Sequence, residues 1–148
     1  MSPGPKKRIL FLCTGNSCRS QMAEAWVNHL RGGEFQAFSA GVTPHGLDLR
    51  AVKAMAEEGL DIAGNRSKDA SEFLDQQFDY IVTVCDNARE NCPFFPGAAQ
   101  RVHAGFPDPP YLAAAAKSEE EAMGHYRRVR DEIRAFVEDM PASIERES

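Results

Sequence analysis

Residues 8–19 read Arg8-Ile-Leu-Phe-Leu-Cys-Thr-Gly-Asn-Ser-Cys-Arg19. The continuous apolar run from Ile9 to Cys13, ended by Thr14-Gly15-Asn16, predicts a strand buried on both faces that runs into a turn. A helix follows at once. Between Cys18 and Leu30, apolar Met22, Ala25, Trp26 and Leu30 recur at helical spacing, and Gly32-Gly33 stops the pattern.

The alternation continues along the chain. Phe35 to Ala40 is a second, shorter strand. Asp48 caps a helix that carries Leu49, Val52 and Met55 or Ala56 on one face and ends at Gly59, and Ser67 opens another short helix through Leu74. Tyr80-Ile-Val-Thr-Val-Cys85 is the clearest strand signal after the first, and Gln100 to Phe106 is a weaker fourth. Ser118 and Glu121 form a capping box ahead of a last helix with Ala122, Tyr126, Val129, Ile133 and Val137 on its inner face. Strands alternating with helices imply an α/β fold: a three-layer sandwich with a four-stranded parallel sheet, helices on both faces and right-handed crossovers. The 148 residues are expected to form a single domain, residues 1–148 with a core at about 8–140, able to bury a hydrophobic interior without covalent staples. In such sheets ligands bind beyond the carboxyl ends of the strands. Cys13 ends the first strand, Cys85 ends the third and Asp108 lies just past the fourth, so all three are expected on one rim.

Charge and cysteine usage narrow the function. A net charge of −5 with both signs scattered leaves no basic stripe to track a nucleic-acid backbone. Lys6, Lys7 and Arg8 precede an apolar run too short for a signal peptide or a membrane span, so a cytoplasmic protein, expected as a monomer, is read. The four cysteines are then expected as thiols rather than a disulfide framework. Cys13 and Cys18 are separated by four intervening residues and Cys85 and Cys92 by six, whereas zinc ligands usually come in closer pairs; thiol chemistry is favoured and no metal is expected.

Cys13 and Arg19 stand at the two ends of a turn between a buried strand and a helix, the layout of a cradle for a tetrahedral dianion. Backbone N–H groups of Thr14, Gly15, Asn16, Ser17, Cys18, Arg19 and Ser20, together with the helix N-terminus, favour a bound anion and the thiolate of Cys13. Arg19 offers a planar fork that can hold two oxygens at once. Gly15 lets the backbone approach closely, Ser20 is placed to donate to the Cys13 sulfur, and Asn16 to brace the loop. Pro109 forces Asp108 out of the helical region, which holds its carboxylate over the pocket as a candidate acid.

Cys13-Thr-Gly-Asn-Ser-Cys-Arg-Ser-Gln-Met-Ala-Glu24, Phe38-Ser-Ala-Gly41 and Asp108-Pro109 resemble the low-molecular-weight tyrosine phosphatase superfamily, over Arg8 to about Val137. Val82-Thr-Val-Cys85 and Asn91-Cys92-Pro93 are similar to its thioredoxin-coupled arsenate reductase branch. The resemblance implies reduction of arsenate to arsenite, with phosphate or sulfate as competing oxyanions. Cys13 attacks arsenic, Arg19 and the loop hold the oxygens, and Asp108 protonates the departing one. Cys85 then closes a disulfide with Cys13, and Cys92 takes over Cys85 to leave a disulfide for thioredoxin, with no bound cofactor. Some reductases of this branch bind potassium beside the loop. Asn16, Glu24 and Ser39 match three ligand positions, but the acidic fourth is Lys68, whose ammonium is expected in the ion's place, paired with Glu24.

Two other functions use the same residues. A tyrosine phosphatase needs Cys13, Arg19 and Asp108 alone, with Tyr111 just past the Asp-Pro step where the superfamily carries aromatic residues. A redox-sensing or metal-binding module would use the thiols without catalysis. Cys18 reads as a small hydrophobe. Trp26 and Phe94-Phe95 read as core or loop anchors, and His29, His45, His103 and His125 as ordinary surface or hydrogen-bonded histidines.

Overall fold

The computed structural model describes residues 5–90, 92, 95 and 97–147. Four strands, β1 (Lys7–Cys13), β2 (Phe35–Gly41), β3 (Tyr80–Thr83) and β4 (Gln100–His103), form one sheet in the order β2-β1-β3-β4. All neighbours are parallel. The unbroken apolar run of β1 follows from its central place: Ile9, Leu10, Phe11 and Leu12 are fully buried because both faces of the sheet are covered. The chain reverses direction in strand order after β2, so the carboxyl end of β1 lies between those of β2 and β3. Leu12 pairs with Ala40 on one side and Thr83 on the other, and Val84 N–H donates to the Leu12 carbonyl at 2.9 Å.

The helices are α1 (Arg19–Leu30), α2 (Leu49–Ala56), α3 (Asp86–Glu90), α4 (Pro109–Ala113), α5 (Glu119–Glu138) and α6 (Ala142–Glu147), with a 3-10 turn at Ala70–Phe73. Adjacent residues of β2 identify the two layers. Ser39 reaches across to Glu24 of α1 at 2.9 Å. Phe38 therefore points to the other face, where it meets Phe73 of the 3-10 turn and Phe78 edge-on, with ring centroids 6.0 and 5.8 Å away. On the first face α5 packs against α1, α2 and α4 through Ala122, Tyr126, Val129, Ile133 and Val137, the stripe its spacing predicts.

Several local expectations shift. The inner face of α1 is Met22, Ala23, Trp26 and Val27 rather than one including Ala25 and Leu30, which are half-buried. Flanked by the sheet and by α5, this helix buries a broader face than one apolar stripe predicts. Asp48 caps α2 by accepting from Arg50 N–H, but Leu49 is 81% exposed and the core takes Ala51, Ala54 and Met55. Ser67 starts no helix: Asp69 caps the 3-10 turn, in a box with Glu72. Regular pairing ends at Thr83 and His103, two and three residues before the predicted ends, although Ala104 and Phe106 N–H still bond the carbonyls of Thr83 and Val84. Ser118 caps α5, but the Glu121 carboxylate accepts from Lys117 N–H rather than completing the box. Helices α4 and α6 carry no readable apolar period; the double proline opens α4, whose first turn needs no N–H donor. Among the described residues no helix is long and apolar enough to cross a membrane.

Candidate active site

The turn after β1 closes on Asn16, which has a φ of 48°, the left-handed conformation that Asn tolerates better than most L-residues. Its environment fixes it there. Asn16 is completely buried; its N–H donates to Cys13 Sγ at 3.1 Å, and its Oδ1 accepts from Lys68 N–H at 2.7 Å and Gln21 Nε2 at 3.0 Å. Its carbonyl accepts from Ser67 Oγ at 2.8 Å, and its Nδ2 donates to Ser20 Oγ, also at 2.8 Å. Ser20 Oγ, which accepts from Asn16, lies 2.8 Å from Cys13 Sγ and donates to it when Cys13 is a thiolate, which can only accept.

The segment after β2 lines the outside of the loop. Val42, Thr43, His45 and Asp48 N–H donate to the carbonyls of Cys13, Thr14, Gly15 and Ser17 at 2.8–3.1 Å. In a trans peptide the C=O and the following N–H point opposite ways, so carbonyls held outward turn the N–H groups of Thr14, Gly15, Asn16 and Cys18 inward. This close packing requires glycine at position 41, against backbone, and leaves little room beside Gly15, against a side chain. A Cβ on Gly41 would lie 2.6 Å from the Thr14 carbonyl oxygen and 2.8 Å from Asn16 N, and one on Gly15 2.7 Å from His45 Nδ1.

The inward amides face a cleft of about 470 Å³ whose lining includes Cys13, Gly15, Ser17, Arg19, His45 and Asp108. Arg19 Nη1 donates to the Phe106 carbonyl at 2.9 Å, and its Nη2 lies 3.7 Å from Asp108 Oδ1, so the guanidinium is braced from the loop that follows β4. Asp108 has the extended backbone expected before proline (φ −92°, ψ 104°), and its carboxylate caps no backbone group of α4. Beneath the loop, Glu24 Oε1 accepts from Ser39 Oγ at 2.9 Å and pairs with Lys68 Nζ at 3.3 Å, the contact predicted for the lysine. Asn16, Glu24, Ser39 and Lys68 thus form one support. Among the described residues no group of three His, Cys, Asp or Glu side chains is gathered for a metal.

The second thiol reaches this rim. Cys85, two residues beyond β3 and 7% exposed, has its Sγ 3.3 Å from Thr14 Oγ1, and Ala88 N–H donates to it at 3.4 Å. Asn87 Nδ2 donates to Thr14 Oγ1 at 3.0 Å and so ties the threonine to α3. Cys92 is half-buried and accepts from Arg101 Nη1 at 3.2 Å; burial pushes its thiol pKa up while the guanidinium pulls it back. Cys18 is 3% exposed, and burial, reinforced by Asp48, holds its thiol well above the ordinary range. Among the described residues Cys13, Cys18, Cys85 and Cys92 form no disulfide. Asn91, Pro93 and Phe94 lie outside the described residues, whereas Phe95 and Trp26 are both core residues, each 2% exposed.

Three contributors escape the sequence reading. Gln21, fully buried, donates from Nε2 to Asn16 Oδ1 and to the Arg66 carbonyl, and accepts from Asn65 Nδ2. His45 forms part of the cleft wall, and Asp48 accepts from Tyr126 Oη at 2.6 Å while its N–H holds Ser17. The spacing of apolar residues carries no signal for any of the three.

A parallel sheet whose first strand delivers a cysteine into an anion loop closed by arginine defines the class. The family described as low molecular weight phosphotyrosine protein phosphatase matches residues 8–148, and the chain belongs to it. Within that family it is 49% identical over 128 residues to an arsenate reductase of Halalkalibacterium halodurans, covering 86% of this chain and 90% of the relative. It is 47% identical over 127 residues to an arsenate reductase of Bacillus subtilis, covering 86% and 89%. A solved arsenate reductase in the phosphate-binding state superposes with a TM-score of 0.73 at 26% identity, over 93% of this chain and 98% of the other.

Proposed function

We propose that this chain reduces arsenate to arsenite through a relay of Cys13, Cys85 and Cys92. The observation that carries the reading is the 3.3 Å contact between Cys85 Sγ and Thr14 Oγ1, which brings a second thiol beside the anion loop. Hydrolysis of a phosphate ester needs one nucleophile and one acid; reduction of arsenate needs two electrons as well, and two thiols closing to a disulfide release two. Relatives named arsenate reductase support the same substrate.

In the relay the Cys13 thiolate attacks arsenic while Arg19 and the inward amides hold the oxygens, and Asp108 protonates the oxygen that leaves as water. Cys85 attacks Cys13 Sγ. A sulfur–sulfur bond forms, the sulfur–arsenic bonding pair passes to arsenic, As(V) becomes As(III), and arsenite departs. Cys92 then attacks Cys85 Sγ and releases Cys13 as thiolate, which leaves a Cys85–Cys92 disulfide. A dithiol protein, thioredoxin, takes up that disulfide and restores both thiols. No bound cofactor enters the scheme, and arsenate competes with phosphate and sulfate for one cradle.

Arsenate-dependent NADPH oxidation with thioredoxin and thioredoxin reductase tests the proposal. Cys13→Ser is expected to abolish arsenite formation. Cys85→Ser is expected to form none, and Cys92→Ser to release one equivalent and stop with Cys13 and Cys85 joined. No arsenite from the unaltered protein, together with hydrolysis of an aryl phosphate that only Cys13→Ser loses, would point instead to a phosphatase, whose ring contact would be Tyr111, 78% exposed.

A further inference from the structure

Away from the anion cleft, the surface over β3 and β4 holds a groove of about 410 Å³ lined by Ile81, Thr83, Arg89, Cys92, Arg101 and His103, with Val102 at its base. The charged groups on the two elements flanking Cys92 are Asp86, Arg89 and Glu90 of α3 and Arg101 and His103 of β4. Arg89 and His103 are both turned to one carboxylate: Asp86 Oδ1 lies 3.7 Å from Arg89 Nη2 and 3.2 Å from His103 Nε2. His103 Nδ1 is also 2.8 Å from Thr83 Oγ1. The guanidinium aimed at the Cys92 sulfur is that of Arg101, with Nη1 at 3.2 Å.

We propose that Arg101 is the positioning residue of the third thiol, holding Cys92 Sγ against β4 and stabilising the thiolate that attacks Cys85 in the Cys13–Cys85 disulfide. The inference rests on the relay reading and extends it to a residue outside the anion cleft. A cation one hydrogen bond from sulfur stabilises thiolate over thiol. It counters burial, which acts the other way on Cys92. The exchange balances without any outside reagent: the Cys85–Cys92 bond forms, the Cys13–Cys85 bond breaks, and its electron pair leaves on Cys13.

The test uses the full chain. In a Cys13→Ser, Cys18→Ser, Cys85→Ser background, where Cys92 is the sole thiol, alkylation by iodoacetamide is followed across pH with Arg101 intact and as Arg101→Gln and Arg101→Lys. Gln is expected to move the profile to higher pH and slow alkylation at neutral pH on the order of tenfold, the effect of about one pKa unit. Lys is expected to restore most of it. With all cysteines present, Arg101→Gln should release its first arsenite at the normal rate and then stall with the Cys13–Cys85 disulfide mapped by mass spectrometry. Arg101 is exposed, and Arg101→Met repeats the measurement if Gln folds poorly. An unchanged alkylation profile overturns the role of Arg101, while repeated turnover by Cys92→Ser overturns the relay beneath it.

Discussion

Ser20 and Lys68 show how single side chains set the chemistry of a loop they barely enter. Ser20 Oγ accepts from Asn16 Nδ2 and lies 2.8 Å from Cys13 Sγ, so its hydroxyl hydrogen serves the Cys13 thiolate. Hydrogen bonds to a charged partner contribute roughly 1.5–3 kcal/mol, so Ser20→Ala should slow Cys13 alkylation and arsenite release by about 10- to 100-fold. Little change is expected in phosphate binding; an alkylation rate equal to that of the parent enzyme would remove Ser20 from the account. Lys68 acts differently. Its ammonium, 17% exposed, pairs with Glu24, 16% exposed, so the carboxylate beneath the loop already has a cation. Exchanging sodium for potassium at fixed ionic strength should therefore leave activity unchanged. Lys68→Ala, which strips Glu24 of its cation, should lose activity and recover part of it with potassium; activation of the unaltered enzyme by potassium would contradict the assignment.

Gly41 ties β2 to the loop between β1 and α1, and here elements rather than single contacts are at stake. A methyl group at that position meets backbone atoms of Thr14 and Asn16 at 2.6 and 2.8 Å, where nothing flexible can give way. Overpacking of this kind costs roughly 1–3 kcal/mol or more, so Gly41→Ala should lower the melting temperature and abolish phosphate binding by calorimetry. Normal phosphate affinity in that variant would mean the segment after β2 does not shape the cradle. This strand–loop–helix unit was readable in advance because its demands appear in residue types: a central strand must be apolar throughout, a left-handed turn wants Asn or Gly, and an oxyanion wants arginine. The approach of Cys85 followed from strand order alone. The packing of Val42 to Asp48 along the loop was not readable, since it is built from main-chain hydrogen bonds that any sequence can make. For the same reason His45 passed as a surface residue. Leu49 misled in the opposite sense: its spacing matched an apolar face, but the helix is rotated so that small Ala51 and Ala54 meet α5. Ser67 likewise matched a helix cap, while its hydroxyl is committed to the Asn16 carbonyl.

Across the whole molecule, the long helix α5 holds the cleft wall to the rest of the helical layer. Near its middle Tyr126 donates to Asp48, while the next residue, Arg127, and Arg130 about a turn further on grip Glu57 at the end of α2. Arg130 is 6% exposed and also bonds the Ala54 carbonyl at 2.9 Å, so this tie fixes where α2, and with it the Asp48 cap beside Ser17, can sit. The hydrogen bond from Arg127, aided by Arg130, lowers the Glu57 pKa from the ordinary 4.5. A carboxylate lowered on folding contributes stability that is present above its unfolded pKa and lost as pH falls through the folded value. Glu57→Gln removes the charge but keeps the shape. Because Glu57 is one-third exposed, the loss at neutral pH should be about 1 kcal/mol, or roughly 2–4 °C in melting temperature for a chain of this size. The difference between the two proteins should hold from neutral pH down to about 4.5, the ordinary glutamate value, and then narrow as the parent's own Glu57 protonates. Thermal melts of both proteins through that range measure it. A gap that stays constant into acid would mean that the tie between α2 and α5 rests on packing and neutral hydrogen bonds, with no contribution from the carboxylate charge.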